Sequence, residues 1–143
     1  MVSEAAAIRL STQIICDAIS RRRFRPQIIT NSIDKTLTTC EENGRNMKNQ
    51  RAELNYVRSW ILSSDPKIHT NVDVTVFRLC RALPVTKKTK KKLLTTIKSF
   101  SSENNKKWRS IPKLECISCD CSTDIKRHID KLVSIIETTK PLS

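Results

Sequence analysis

The sequence predicts an all-α fold, and three observations carry that expectation. The chain of 143 residues contains a single glycine, only 4% of it is aromatic, and its apolar residues recur at helical spacing. Antiparallel sheets need tight turns built on Gly, Asn or Asp at positive φ, so one glycine leaves little means of making them. Helices joined by ordinary loops need almost none. The length fits one domain over residues 1–143, and the 38% apolar content fills one modest core of Ile, Leu, Val and Ala.

Residues 4–23 read as the first helix. Ala7, Leu10, Ile14 and Ala18 form a stripe with Ile8, Ile15 and Ile19 beside it, and Ser3 is placed to cap it. The run Arg21-Arg22-Arg23-Phe24-Arg25 and then Pro26 end it, because proline disfavours helical geometry in the residue before it. A second helix fits 27–42, with Ile28, Ile29, Ile33, Leu37 and Cys40 on one face and Gly44 as its stop. A third fits 49–63 through Leu54, Val57, Ile61 and Leu62, and Ser63-Ser64-Asp65-Pro66 follows as a loop.

Residues 72–83 are read as helix. Val72, Val74 and Val76 alternate as in a strand, but Phe77, Cys80 and Leu83 keep helical spacing and an isolated strand has no partner. After Pro84, residues 86–101 place Leu93, Leu94, Ile97 and Phe100 on one face. Lys87, Lys88, Lys90, Lys91 and Lys92 crowd its first turns, where they oppose the helix dipole and predict fraying. Trp108 packs after a short continuation, and residues 110–121 form an irregular loop. The last helix is capped by Thr123, begins with Asp124 and carries Ile125, Ile129, Leu132, Val133 and Ile136, before Pro141.

A formal charge of +13 favours anionic partners: nucleic acid, anionic glycan, acidic lipid or an acidic protein face. No apolar stretch is long enough to span a bilayer, so no membrane insertion is expected. Arg9 and Ser11-Thr12-Gln13 interrupt the N-terminal apolar residues, so the start reads as that of a cytosolic chain or of a mature secreted one. His69 and His128 stand in unrelated contexts, and no phosphate loop or nucleophile motif accompanies them. An enzyme is not expected, nor is a cofactor.

The six cysteines admit two readings. Cys16, Cys40 and Cys80 are scattered over three helical segments, while Cys116, Cys119 and Cys121 crowd one loop. Pairing each scattered cysteine with a loop cysteine gives three disulfides, a bundle stapled to its loop and an extracellular location. That is the preferred reading, with no resident metal, and it leaves fifteen connectivities open. In the other, Cys116, Cys119, Cys121 and His128 ligate zinc. His128 reads rather as a solvated residue on the outer face of the last helix, opposite its apolar stripe.

The C-terminal third resembles the short-chain four-helix cytokines, above all the interleukin-4/interleukin-13 group, with interleukin-21 next. The resemblance rests on Leu94 to Phe100, Trp108, the run Leu114-Glu115-Cys116-Ile117-Ser118-Cys119-Asp120 and the helix Ile125 to Ile136. Val76 to Ala82 is similar to that family's second helix, with Cys80 at its loop-bonded position, and Cys40 sits where a cysteine follows its first helix. The likeness spans about residues 27–137, leaving the helix at 4–23 as an addition. It implies a secreted immune-signalling cytokine with growth-factor activity, binding receptor ectodomains through exposed helix faces. Lys88, Lys91, Lys92 and Lys98 on the third bundle helix, and Lys126, Arg127, Asp130 and Lys131 on the fourth, become the receptor-binding candidates. A weaker likeness, through Leu83-Pro84-Val85-Thr86 and Trp108, runs to helical domains of transcription-elongation factors.

The alternative function is a basic nucleic-acid-binding protein, of viral type, with zinc in its C-terminal loop. Lys87 to Lys92 and Arg21 to Arg25 would then contact phosphates.

Overall fold

The computed structural model describes residues 3–21, 25–61, 78–103 and 125–142. The valine alternation at 72–76, Phe77, Trp108, the three loop cysteines, the expected cap Thr123 and the first-turn Asp124 lie outside them. The chain is all-helical, and no strand occurs among the described residues. The helices are α1 (Glu4–Arg21), α2 (Pro26–Glu42), α3 (Lys48–Ile61), α4 (Lys87–Glu103) and α5 (Ile125–Thr138), with a short helical turn over 78–82.

Each early boundary has a local cause. The Ser3 hydroxyl accepts from the Ala6 amide at 3.1 Å, the N-cap expected for α1. Proline occupies the first position of α2, where its missing N–H costs no helical bond. At the other end of α2 the Gly44 amide donates to Glu41 O and the Arg45 amide to Cys40 O, both at 3.0 Å. With Gly44 at φ +83° this is a complete Schellman closure.

Side-chain pairs fix the directions of the helices. Glu4 meets Asn43 and Arg45, Ala7 meets Thr36, and Ser11 meets Ser32, so α1 and α2 are antiparallel. Arg51 reaches Glu41 and Asp34 while Arg58 reaches Asn31, so α2 and α3 are antiparallel too. Gln13 bonds Lys92, and Cys16, three residues on along α1, interacts with Thr96, four residues on along α4, which sets α1 and α4 parallel. The Leu142 amide donates to Val85 O at 2.8 Å and Lys90 reaches Thr139 O, which turns α5 back along α4. The packing order is therefore α3, α2, α1, α4, α5.

The core runs through all five helices and the 78–85 segment: Ile8, Ile15, Ile33, Leu37, Leu54, Leu79, Leu93 and Ile97 are fully buried, with Ile129, Leu132 and Ile136 from α5. Two expected core residues are corrected. Leu10 is 59% exposed and Ile28 is 49% exposed. Leu10 sits about 200° around the helix from Ile8, and the buried face of α1 is centred on Ile8, Ile15 and Ile19. Polar Ser11 and Thr12 are buried instead, with the Thr12 hydroxyl donating to Ile8 O at 2.8 Å. Burial is affordable for them because their hydroxyls bond within the helix pair.

Outside the helices, Arg78 ties the 78–82 turn to α3. Its guanidinium lies 3.5 Å from Glu53 Oε1 and 4.7 Å from the centre of the Tyr56 ring.

Candidate functional site

The face of α4 directed to solvent carries the strongest unspent charge among the described residues. At 100° per residue, Lys87, Lys88, Lys91, Lys92, Thr95, Lys98 and Ser99 fall in one arc, and Thr89, Leu93 and Ile97 point into the core. From Lys87 to Lys98 the lysines extend about 16 Å along the axis. No acidic residue occurs between Lys87 and Ser99.

At the start of this helix, where the lysines predict fraying, the structure supplies a cap. The Thr86 amide donates to Thr89 Oγ1 at 2.8 Å, and the Thr89 amide donates to Thr86 Oγ1 at 3.3 Å. This reciprocal box, with Thr89 buried, satisfies two end groups and holds the first turn despite five nearby lysines.

The lysines then divide by what they touch. Lys90 turns inward and donates to Glu137 O and Thr139 O, 2.8 Å each, closing the C-terminus of α5. Lys92 donates to Gln13 Oε1, and Lys98 pairs with Glu137 at 3.0 Å. Lys87, Lys88 and Lys91 are exposed, and their ammonium groups meet no partner among the described residues. The acids elsewhere are largely engaged: Glu4 by Arg45, Asp34 by Arg51 and Arg58, Glu41 by Arg51, and Glu53 by Arg78.

Of the receptor-binding candidates, Lys88, Lys91, Lys92 and Lys98 thus share one face of α4, two of them engaged. Asp130 and Lys131 are exposed on α5, while the side chains of Lys126, Arg127 and His128 lie outside the described residues. Arg21 to Arg25 join α1 to α2, and only Arg25 of that run has a described, exposed side chain. Sequence reasoning missed Gln13 as a residue in contact with α4. Its place on α1 was legible, but the register between the helices was not.

Cys16, Cys40 and Cys80 are buried and form no disulfide with one another among the described residues. Burial raises the pKa of all three: Cys40 is pushed up to about 11, with the Glu4 carboxylate adding to the effect, and Cys80 is raised further. Cys16 is raised by burial against opposing help from Thr96 and Lys92. Such thiols are inert as nucleophiles at neutral pH. The loop cysteines, and with them the expected pairings and the zinc alternative, lie outside the described residues. No group of three or more metal-ligating side chains occurs among the described residues, and no described helix is long and apolar enough to cross a membrane.

Fold and face together define a helical bundle with a rigid, lysine-bearing outer surface. No protein-family model, curated protein or solved structure matches this chain.

Proposed function

We propose that the chain is a non-catalytic binding protein that holds nucleic acid through its phosphates, using the lysine face of α4. The observation that carries this reading is the unpartnered trio Lys87, Lys88 and Lys91 on a firmly capped helix start. An ammonium is a compact point charge suited to phosphate contact without base recognition. Lysines one helical turn apart sit about 6 Å from each other along the axis, a spacing at which neighbouring phosphates can be met in succession.

The test is fluorescence anisotropy of a labelled oligonucleotide titrated with the protein across a salt series. With three or four phosphates neutralised, the slope of log affinity on log salt should be about −3 to −4. The combined K87E/K88E/K91E variant should lose most of the binding while keeping its helical circular dichroism. Absence of binding at low salt overturns the reading.

A secreted cytokine of the interleukin-4/interleukin-13 type is the second reading. Three buried cysteines in an all-helical bundle favour it. The helix order weighs against it: cytokine bundles run up-up-down-down with two long crossovers, whereas α1, α2 and α3 alternate through short connections and α5 reverses α4. Intact mass before and after reduction, with zinc measured on the same sample, separates the two. A gain of about six mass units without zinc supports three disulfides and receptor ectodomains as partners. Free thiols with bound zinc support nucleic acid.

A further inference from the structure

We infer that Glu137 guards the lysine face of α4: it holds Lys98 in the free protein and yields that ammonium to a phosphate when nucleic acid binds. The inference rests on the nucleic-acid reading above and deepens it by naming what limits the same face. The placement of Lys98 is the first observation. At 100° per residue, Lys87, Lys91 and Lys98 fall within about 40° of one another. They lie on the side of α4 that borders α5, since Lys90 reaches the end of α5 and Lys98 reaches Glu137. Lys98 stands about 10 Å beyond Lys91 along the axis and so continues the stripe of exposed ammonium groups.

The ion pair itself is the second observation. Lys98 Nζ is 3.0 Å from Glu137 Oε1, and the two side chains are 57% and 49% exposed. A pair so open to water contributes little to stability and is screened by salt, so a phosphate oxygen can replace the carboxylate at small cost. The exchange leaves the end of α5 in place. What Lys90 takes from residue 137 is the main-chain carbonyl, which does not move with the carboxylate.

Lys92 supplies the contrast. Its partner is the neutral Gln13 Oε1, so its charge stays available to an approaching anion. Among the described residues, Lys98 is the lysine of α4 that is paired with a carboxylate. A phosphate chain is therefore met first by Lys87, Lys88 and Lys91, and Lys98 joins the footprint by displacing Glu137.

The full chain and its Glu137→Gln, Lys98→Gln and double variants should be titrated by anisotropy against one labelled oligonucleotide of about 20 bases at fixed salt. Thermal melts establish that each variant is folded. Glu137→Gln should tighten binding about three- to fivefold, as expected for freeing one exposed ammonium from its pair. In the Lys98→Gln background the same substitution should change affinity by less than about twofold, because the lysine it releases is gone. Lys98→Gln should also make the salt slope shallower by about one. Asp130→Asn removes an equal charge about two turns away on the same side of α5, and should change affinity by less than about twofold. A gain from Glu137→Gln that is the same with and without Lys98, or that Asp130→Asn reproduces, makes the carboxylate a distant charge and overturns the inference. No gain from Glu137→Gln, while K87E/K88E/K91E still abolishes binding, overturns it too and leaves the α4 reading standing. If the unmodified chain binds no oligonucleotide at low salt, the functional reading falls and the inference with it.

Discussion

Lys90 holds the end of α5 by donating its ammonium to the carbonyl oxygen of Thr139 at 2.8 Å, with Glu137 O accepting a second bond at the same distance. One lysine of a basic run is therefore structural while its neighbours face water. A charged donor on terminal carbonyls satisfies groups that have no partner within their own helix, and it interacts favourably with the dipole. Lys90→Ala should destabilise the fold by about 1–2 kcal/mol in urea unfolding, against less than about 0.5 kcal/mol for Lys91→Ala. Equal effects would remove the distinction between the two lysines.

The α1–α2 contact contains a buried hydroxyl cluster. Ser11 Oγ and Thr36 Oγ1 are 2.6 Å apart, and Thr36 Oγ1 also lies 3.2 Å from Ala7 O and 2.9 Å from Ser32 O. Thr36→Val keeps the shape but leaves Ser11 with fewer partners, and should cost about 1–2 kcal/mol. The double variant with Ser11→Ala should cost less than the sum of the singles by at least about 0.5 kcal/mol. Strict additivity in a double-mutant cycle would show that the hydroxyls are independent.

These two contacts also mark where sequence reading stops. The helices, the Gly44 stop and the buried faces of Ile33, Leu37, Leu93 and Ile97 follow from spacing, because an apolar stripe at 3.6 residues has one low-energy placement. Ser11 and Thr12 read as a polar interruption and are buried; Leu10 read as core and is exposed. Hydroxyls that bond their own helix or its neighbour behave as core residues, and hydrophobicity alone does not reveal it. The lysine run was equally legible, but its division into capping, paired and free members depends on which helices lie beside it. The parallel setting of α1 and α4 is a tertiary fact with no local signal.

The raised thiol pKa values make stability depend on alkaline pH. In the unfolded chain Cys40 ionises near 9.0, and in the fold near 11, so folding favours the neutral thiol. The contribution is fully present below pH 9 and is lost as pH rises towards 11, amounting to roughly 3 kcal/mol. Unfolding midpoints should fall over that window, and Cys40→Ala should flatten the fall even though it lowers stability at pH 7. At pH 7.5, peptide mapping after a short pulse of a thiol reagent should find Cys16, Cys40 and Cys80 unmodified in the native protein and modified in urea. Rapid native labelling of Cys40 or Cys80 would contradict their burial.

Gly44 governs the corner that sets α3 against α2. Its φ of +83° lies in the left-handed region, and a Cβ built there meets nothing within 4 Å. Any penalty for a larger residue therefore comes from the backbone and not from a clash. The corner matters because its closure, Arg45 N–H to Cys40 O, aims α3 so that Arg51 reaches both Asp34 and Glu41. Gly44→Ala should destabilise by about 1 kcal/mol, and Gly44→Asn by less, since asparagine tolerates this conformation better. The position is open at Cβ, so the difference between the two substitutions reports chiefly on backbone strain. If alanine and asparagine prove equally harmless in chemical denaturation, the turn relaxes to negative φ and the Schellman closure does not fix the α2–α3 corner.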